Sequence, residues 1–159
     1  MPRKNLFFVL LVFVIAVSFA ISQEAPKSGE AEEAVITYPP QAIIVAAYRG
    51  DEKMVREILA AGVDKNARDS IGATALHVAV FQSNPMVIRL LLEYGFDPNA
   101  RTSRNGYTPL HNAVSANNVE AARLLLRYGA DPNIRGLDGL SPLAKARMEE
   151  KRQLVLLLY

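Results

Sequence analysis

A four-residue phrase returns at nearly constant spacing: Thr74-Ala75-Leu76-His77, Thr108-Pro109-Leu110-His111 and Ser141-Pro142-Leu143-Ala144, each with a glycine turn just ahead of it. Thr74 to Thr108 is 34 positions, and Thr108 to Ser141 is 33. Self-similarity at such a period implies stacked supersecondary units, because each copy is too small to bury its apolar face alone. A second phrase keeps the same register. The run Leu90-Leu91-Leu92-Glu93-Tyr94-Gly95-Phe96-Asp97-Pro98-Asn99-Ala100 returns as Leu124-Leu125-Leu126-Arg127-Tyr128-Gly129-Ala130-Asp131-Pro132-Asn133-Ile134. It appears more loosely as Ile58-Leu59-Ala60-Ala61-Gly62-Val63-Asp64-Lys65-Asn66-Ala67.

Each copy reads as a turn, a short helix, a second helix and a loop. Thr74 and Thr108 have the oxygen that caps a helix start, and Pro109 and Pro142 occupy the first helical position, where a missing N–H does no harm. Ala79, Val80, Ala113 and Val114 are small enough for neighbouring helices to approach. Val87, Ile88, Leu91 and Leu92 give the second helix an apolar stripe. Gly62, Gly95 and Gly129 stand where a left-handed residue ends that helix. The fold class expected is an all-α solenoid of stacked helix-turn-helix units.

The paired phrases resemble the ankyrin repeat family over about Pro39 to Tyr159, most closely from Asn105 to Ile134. That resemblance implies hairpin-like loops between units and a concave face made of hairpin tips and first helices. It divides the domain, residues 38–159, into an N-terminal cap (39–70), two full repeats (71–103 and 104–136) and a truncated C-terminal cap (137–159).

The chain opens differently. Arg3 and Lys4 precede an apolar run from Leu6 to Ile21, broken by Ser18 and ending in the small residues Ala20 and Ser22. This is the layout of a secretory signal peptide, residues 1–22. As a helix the run spans about 24 Å, less than a roughly 30 Å hydrocarbon core, so cleavage is favoured over a permanent membrane anchor. Residues 23–37 contain Glu24, Glu30, Glu32 and Glu33 against Lys27 and read as a flexible acidic linker. The chain has no cysteine and no N-x-[ST] sequon. Export to a bacterial periplasm or the medium is the localisation expected, with N-terminal anchoring as the alternative.

Chemistry finds little to work with. There is no thiol nucleophile, no G-x-S-x-G elbow, no H-E-x-x-H, no phosphate loop and no dinucleotide glycine motif. His77 and His111 hold one register position, where the family resemblance implies a structural histidine. Equivalent positions on stacked helices lie about 8 to 10 Å apart, too far for both rings to hold one zinc at about 2 Å. Asp64, Asp97 and Asp131 share a loop-forming context with a following Asn. No catalytic residue, metal site or cofactor is expected.

A binding surface remains. The resemblance places Arg68, Ile71, Arg101, Arg104, Asn105, Tyr107 and Arg135 at or near hairpin tips, and Tyr48, Arg49, Phe81, Gln82, Ser115 and Arg147 on first helices. Arg68, Arg101 and Arg135 form a register row, and Tyr48 matches Phe81. Arginine and aromatic side chains are the commonest interface anchors. The link from Ala100 to Tyr107 has one residue more than its counterparts, which should bulge that finger. Without Arg3 and Lys4 the 18 basic residues become 16, equal to the 16 acids, while 38–159 has 15 basic and 12 acidic residues, or +3. A partner protein with an acidic patch is expected. A neutral exported chain lacks the basic footprint of a nucleic-acid binder. The alternative is an anionic envelope polymer or small ligand along the arginine row.

Overall fold

Every full unit starts its first helix in the same way. In the computed structural model, which describes residues 37–82 and 84–159, Thr74 and Thr108 adopt extended backbone, and their N–H groups donate to Nδ1 of His77 and His111 at 3.1 Å. Ser141 caps the last unit by accepting from Ala144 N–H. The expected signal peptide (1–22) and residues 23–36 of the expected linker lie outside the described residues.

The described residues contain eight helices and no strand: α1 (Ala42–Arg49), α2 (Glu52–Ala60), α3 (Ala75–Ala79), α4 (Pro85–Glu93), α5 (Pro109–Ser115), α6 (Val119–Arg127), α7 (Pro142–Met148) and α8 (Arg152–Leu158). They pair as α1/α2, α3/α4, α5/α6 and α7/α8. The first helices pack in the order α1, α3, α5, α7, and the second in the order α2, α4, α6, α8, so Pro40–Tyr159 is a two-layer stack. Ala46, Ala79, Ala113 and Ala146 line the close approach between first helices, each at 3% exposure or less. Ile58, Leu91, Leu125 and Leu158 do the same for the second layer at 6% or less. Among the described residues no helix is long and apolar enough to cross a membrane.

The bend between paired helices sits on one left-handed residue. Gly50 (φ 67°), Asn117 (φ 54°) and Glu150 (φ 54°) occupy that position in units one, three and four. The next residue caps the second helix. Asp51, in the first described unit, accepts from Met54 N–H. Asn84 and Asn118 accept from their own helices and also donate to the preceding unit: Asn84 to Gly50 O, Asn118 to Val80 O at 2.9 Å. Lys151, in the last unit, gives up the cap and donates to Val114 O and Ser115 O of the third. Asn118→Ala is therefore expected to cost about 2 kcal/mol, from a lost cap and orphaned carbonyls. Asn118→Asp keeps the cap and should recover part of that loss. Urea denaturation of the two variants measures the difference.

Hairpin fingers join the units along one edge. Asp69 N–H donates to Ala73 O and Gly136 N–H to Leu140 O, while Thr102 N–H reaches Tyr107 O. The middle finger thus closes over one more residue, as its extra position led us to expect. Fingers are tied in sequence by Ser103 N–H to Ile71 O at 3.2 Å and Leu137 N–H to Asn105 O at 2.8 Å.

Candidate functional site

The arginine row is engaged in the fold. Arg68 Nη1 donates to Gly72 O in its own finger and to Arg101 O in the next. Arg101 repeats this with Nε to Gly106 O and Nη2 to Arg135 O, and Arg135 Nη1 donates to Gly139 O. One carbonyl from its own finger turn and one from the next finger converge on Arg68 and on Arg101, whose forks can bond two at once. Part of the donor set of Arg68, Arg101 and Arg135 thus braces the fingers, while all three side chains remain at the exposed edge.

Asn105 and Tyr107 are likewise held. The Asn105 carboxamide oxygen accepts from Thr102 Oγ1 and Tyr107 N–H. Tyr107 stacks on His111 with ring centroids 4.7 Å apart and planes 9° from parallel. Its hydroxyl donates to Asp138, whose carboxyl is held below the usual range by that bond and by Leu140 N–H. The same hydrogen bond, with desolvation, pushes the Tyr107 phenol up.

Lys145 lies 5.2 Å from the Tyr107 ring centre and pairs with Glu149 at 2.9 Å. Hydrogen bonding to Glu149 raises Lys145. Burial alone would raise Glu149, but bonds from Lys151 and Lys145 outweigh it and hold the carboxyl low. Reading the sequence missed this network. Its signal was alignment: Lys145 stands where Val78 and Asn112 stand, and Lys151 where Asn84 and Asn118 stand. Each charge has an opposite charge or a carbonyl beside it, so the cluster clamps the last unit to the third.

His77 and His111 are fully buried, and both ring nitrogens are used. Nε2 of His77 lies 3.0 Å from Tyr107 O and that of His111 3.0 Å from Leu140 O. A carbonyl only accepts, so Nε2 carries the proton, and Nδ1 accepts from the threonine N–H. Burial lowers His77 from 6.5 to about 4 and lowers His111 as well. Neither ring keeps a lone pair free for a metal or a substrate proton.

An apolar ridge runs along the other ends of the first helices, away from the fingers that lead into them. Aligning units on the left-handed residue puts Tyr48, Phe81, Ser115 and Met148 at one position, next to the C-terminal end of each first helix. Tyr48 is 61% exposed, Phe81 52% and Met148 70%. Arg49, Gln82, Ala116 and Glu149 follow them. The ridge dips at unit three, where Ser115 and Ala116 replace larger residues, and there a cleft of about 530 Å³ opens, lined among others by Phe81, Gln82, Pro85, Ala116, Asn117 and Val119. Ile71 and Arg104 are exposed on finger tips.

Arg147 lies elsewhere than expected. The same alignment gives it the place of Val80 and Val114, both fully buried, and not a place on the ridge. Its guanidinium lies 5.8 Å from the Tyr159 ring centre.

Helix pairs in two layers, joined by fingers along one edge, define a repeat solenoid. A family model described as Ankyrin repeats (3 copies) matches residues 43–136, more than half of the 159-residue chain, and the protein belongs to the ankyrin repeat family. No curated protein matches it. Ankyrin repeats generally mediate protein–protein interaction and are typically not enzymes.

Proposed function

We propose that this protein is a non-catalytic binding module, exported from the cytoplasm, that holds a partner protein along the ridge of Tyr48, Phe81, Ser115 and Met148. The observation that carries the reading is the exposure of three large apolar side chains at one register position, beside an open cleft. A rigid stack presents such a row with little ordering penalty, because hydrogen bonds already fix the fingers and the helix ends. An apolar side chain of the partner fills the dip between Phe81 and Ala116, as anchors commonly do at interface centres.

An acidic patch on the partner suits the charge of the edge. Arg68, Arg101 and Arg135 bring positive charge to the finger edge, where it steers encounter with such a patch. Nucleic acid has no comparable support in the charge balance. Export is supported by the charged start, apolar run and small-residue end of residues 1–22. Residues 23–37 then act as a tether.

Arg101 is a poor probe of binding, since its removal also disturbs two fingers. Tyr48→Ser with Phe81→Ser is cleaner, because Ser115 shows that serine is accepted at this position. We expect that double variant to weaken capture of the partner by about a hundredfold, as loss of two anchors implies, with an unchanged melting curve. Equal capture by the folded variant would remove the ridge from the account.

A further inference from the structure

The sulfur of this chain is all thioether, in four methionines with no cysteine. Met148, the last residue of α7, is 70% exposed, against 37% for Met86 and a half-buried Met54, while Met1 lies outside the described residues. Met148 also stands on the ridge, at the position of Tyr48, Phe81 and Ser115. The fold does not call for methionine there, since tyrosine, phenylalanine and serine hold the same place in the other units. Nor does its exposure depend on what packs against unit four: Tyr48 and Phe81 are exposed although a further unit stacks on each of theirs. Its neighbour in the row, Ser115, is the smallest of the four, so no bulky ridge side chain stands on that side of the thioether.

We propose that Met148 is an oxidation site that regulates the ridge: a peroxide converts its thioether to the sulfoxide and so loosens the partner held there, an inference that rests on the ridge reading above. A thioether is apolar and adaptable, which suits an anchor. In the reaction a sulfur lone pair attacks one peroxide oxygen, the S–O bond forms as the O–O bond breaks, and hydrogen peroxide leaves as water. Sulfur gives up an electron pair, and the peroxide takes it. The product leaves the fold intact, because this position faces solvent and unit three already carries polar Ser115 there. The change falls on the partner, whose apolar side chain then meets a strong acceptor oxygen that must be stripped of water. A sulfoxide reductase reverses the step, which makes it a switch and not only a lesion.

The order of oxidation is measured first and needs no partner. With the purified full chain in dilute hydrogen peroxide, peptide mass spectrometry should find one added oxygen on Met148 at least about threefold faster than on Met86, with unchanged circular dichroism. Oxidation of Met86 or Met54 ahead of Met148 would overturn the proposal. The effect on binding is read by a photoreactive residue at position 81. Chain that has been oxidised, freed of peroxide and mixed with an extract of its native cells should give about tenfold less crosslinked product than untreated chain. Met148→Leu should crosslink equally before and after peroxide, and a sulfoxide reductase should restore the wild-type yield. Equal yields from oxidised and untreated wild type, or the same loss in Met148→Leu, would overturn the switch while leaving the ridge in place. No crosslink at position 81 from untreated, folded chain would remove the ridge reading and this inference with it.

Discussion

Leu91→Ala is expected to lower the unfolding free energy of the repeat domain by about 3 to 4 kcal/mol. Leu91 is fully buried on α4, which packs between α2 and α6, so the cavity opens against two neighbouring units at once. A stack holds together only through nearest-neighbour contacts, and no distant core compensates for a weakened joint. Against a typical total of roughly 5 to 15 kcal/mol this is a large share. Urea denaturation followed by circular dichroism measures it. A loss under about 1 kcal/mol would mean that the second-helix layer is not the continuous core described.

Acid is expected to act almost as strongly. Burial holds His77 near 4 in the folded domain against 6.5 unperturbed, so the unfolded chain takes up a proton that the folded one refuses. The folded-state value is the depressed one. The contribution is therefore fully present above about pH 6.5, falls as pH drops, and is gone below about pH 4. At about 1.4 kcal/mol per pH unit the loss through His77 alone is about 3 kcal/mol. His111, shifted the same way, adds to it. Charging either ring also places a proton on Nδ1, against the threonine N–H it accepts. Asp138 and Glu149 are carboxyls held low, so their contribution is lost at still lower pH and has the same sign. A urea midpoint that stays constant between about pH 7 and about pH 4 would contradict this use of the histidines.

The period, the helix pairs and the structural place of the histidines were legible because they are local: threonine three residues before histidine, proline at the first helical position, leucines at helical spacing. The exposed aromatics were legible too, since Tyr48 and Phe81 share a register. The destination of the arginines was not. An arginine after Asn-Ala reads equally as a docking anchor or as a solvated tip, and only the folded fingers bring Gly72 O and Arg101 O together around Arg68. Arg147 was misplaced for a different reason. Its unit bends at Glu150 (φ 54°), a residue that does not advertise a left-handed conformation as Gly50 does, and one position of offset moves a side chain off the ridge. Lys151 hid its role by replacing the asparagine it stands in for.

Site-specific photocrosslinking from the full chain in its native cells tests whether a partner protein lies along the ridge. A photoreactive residue at position 48 or 81 should join covalently to one discrete protein, while the same residue at 89 or 123, on the second-helix layer, should not. Crosslinks confined to 89 and 123, or none at 48 and 81 when the stack is folded, would contradict the account.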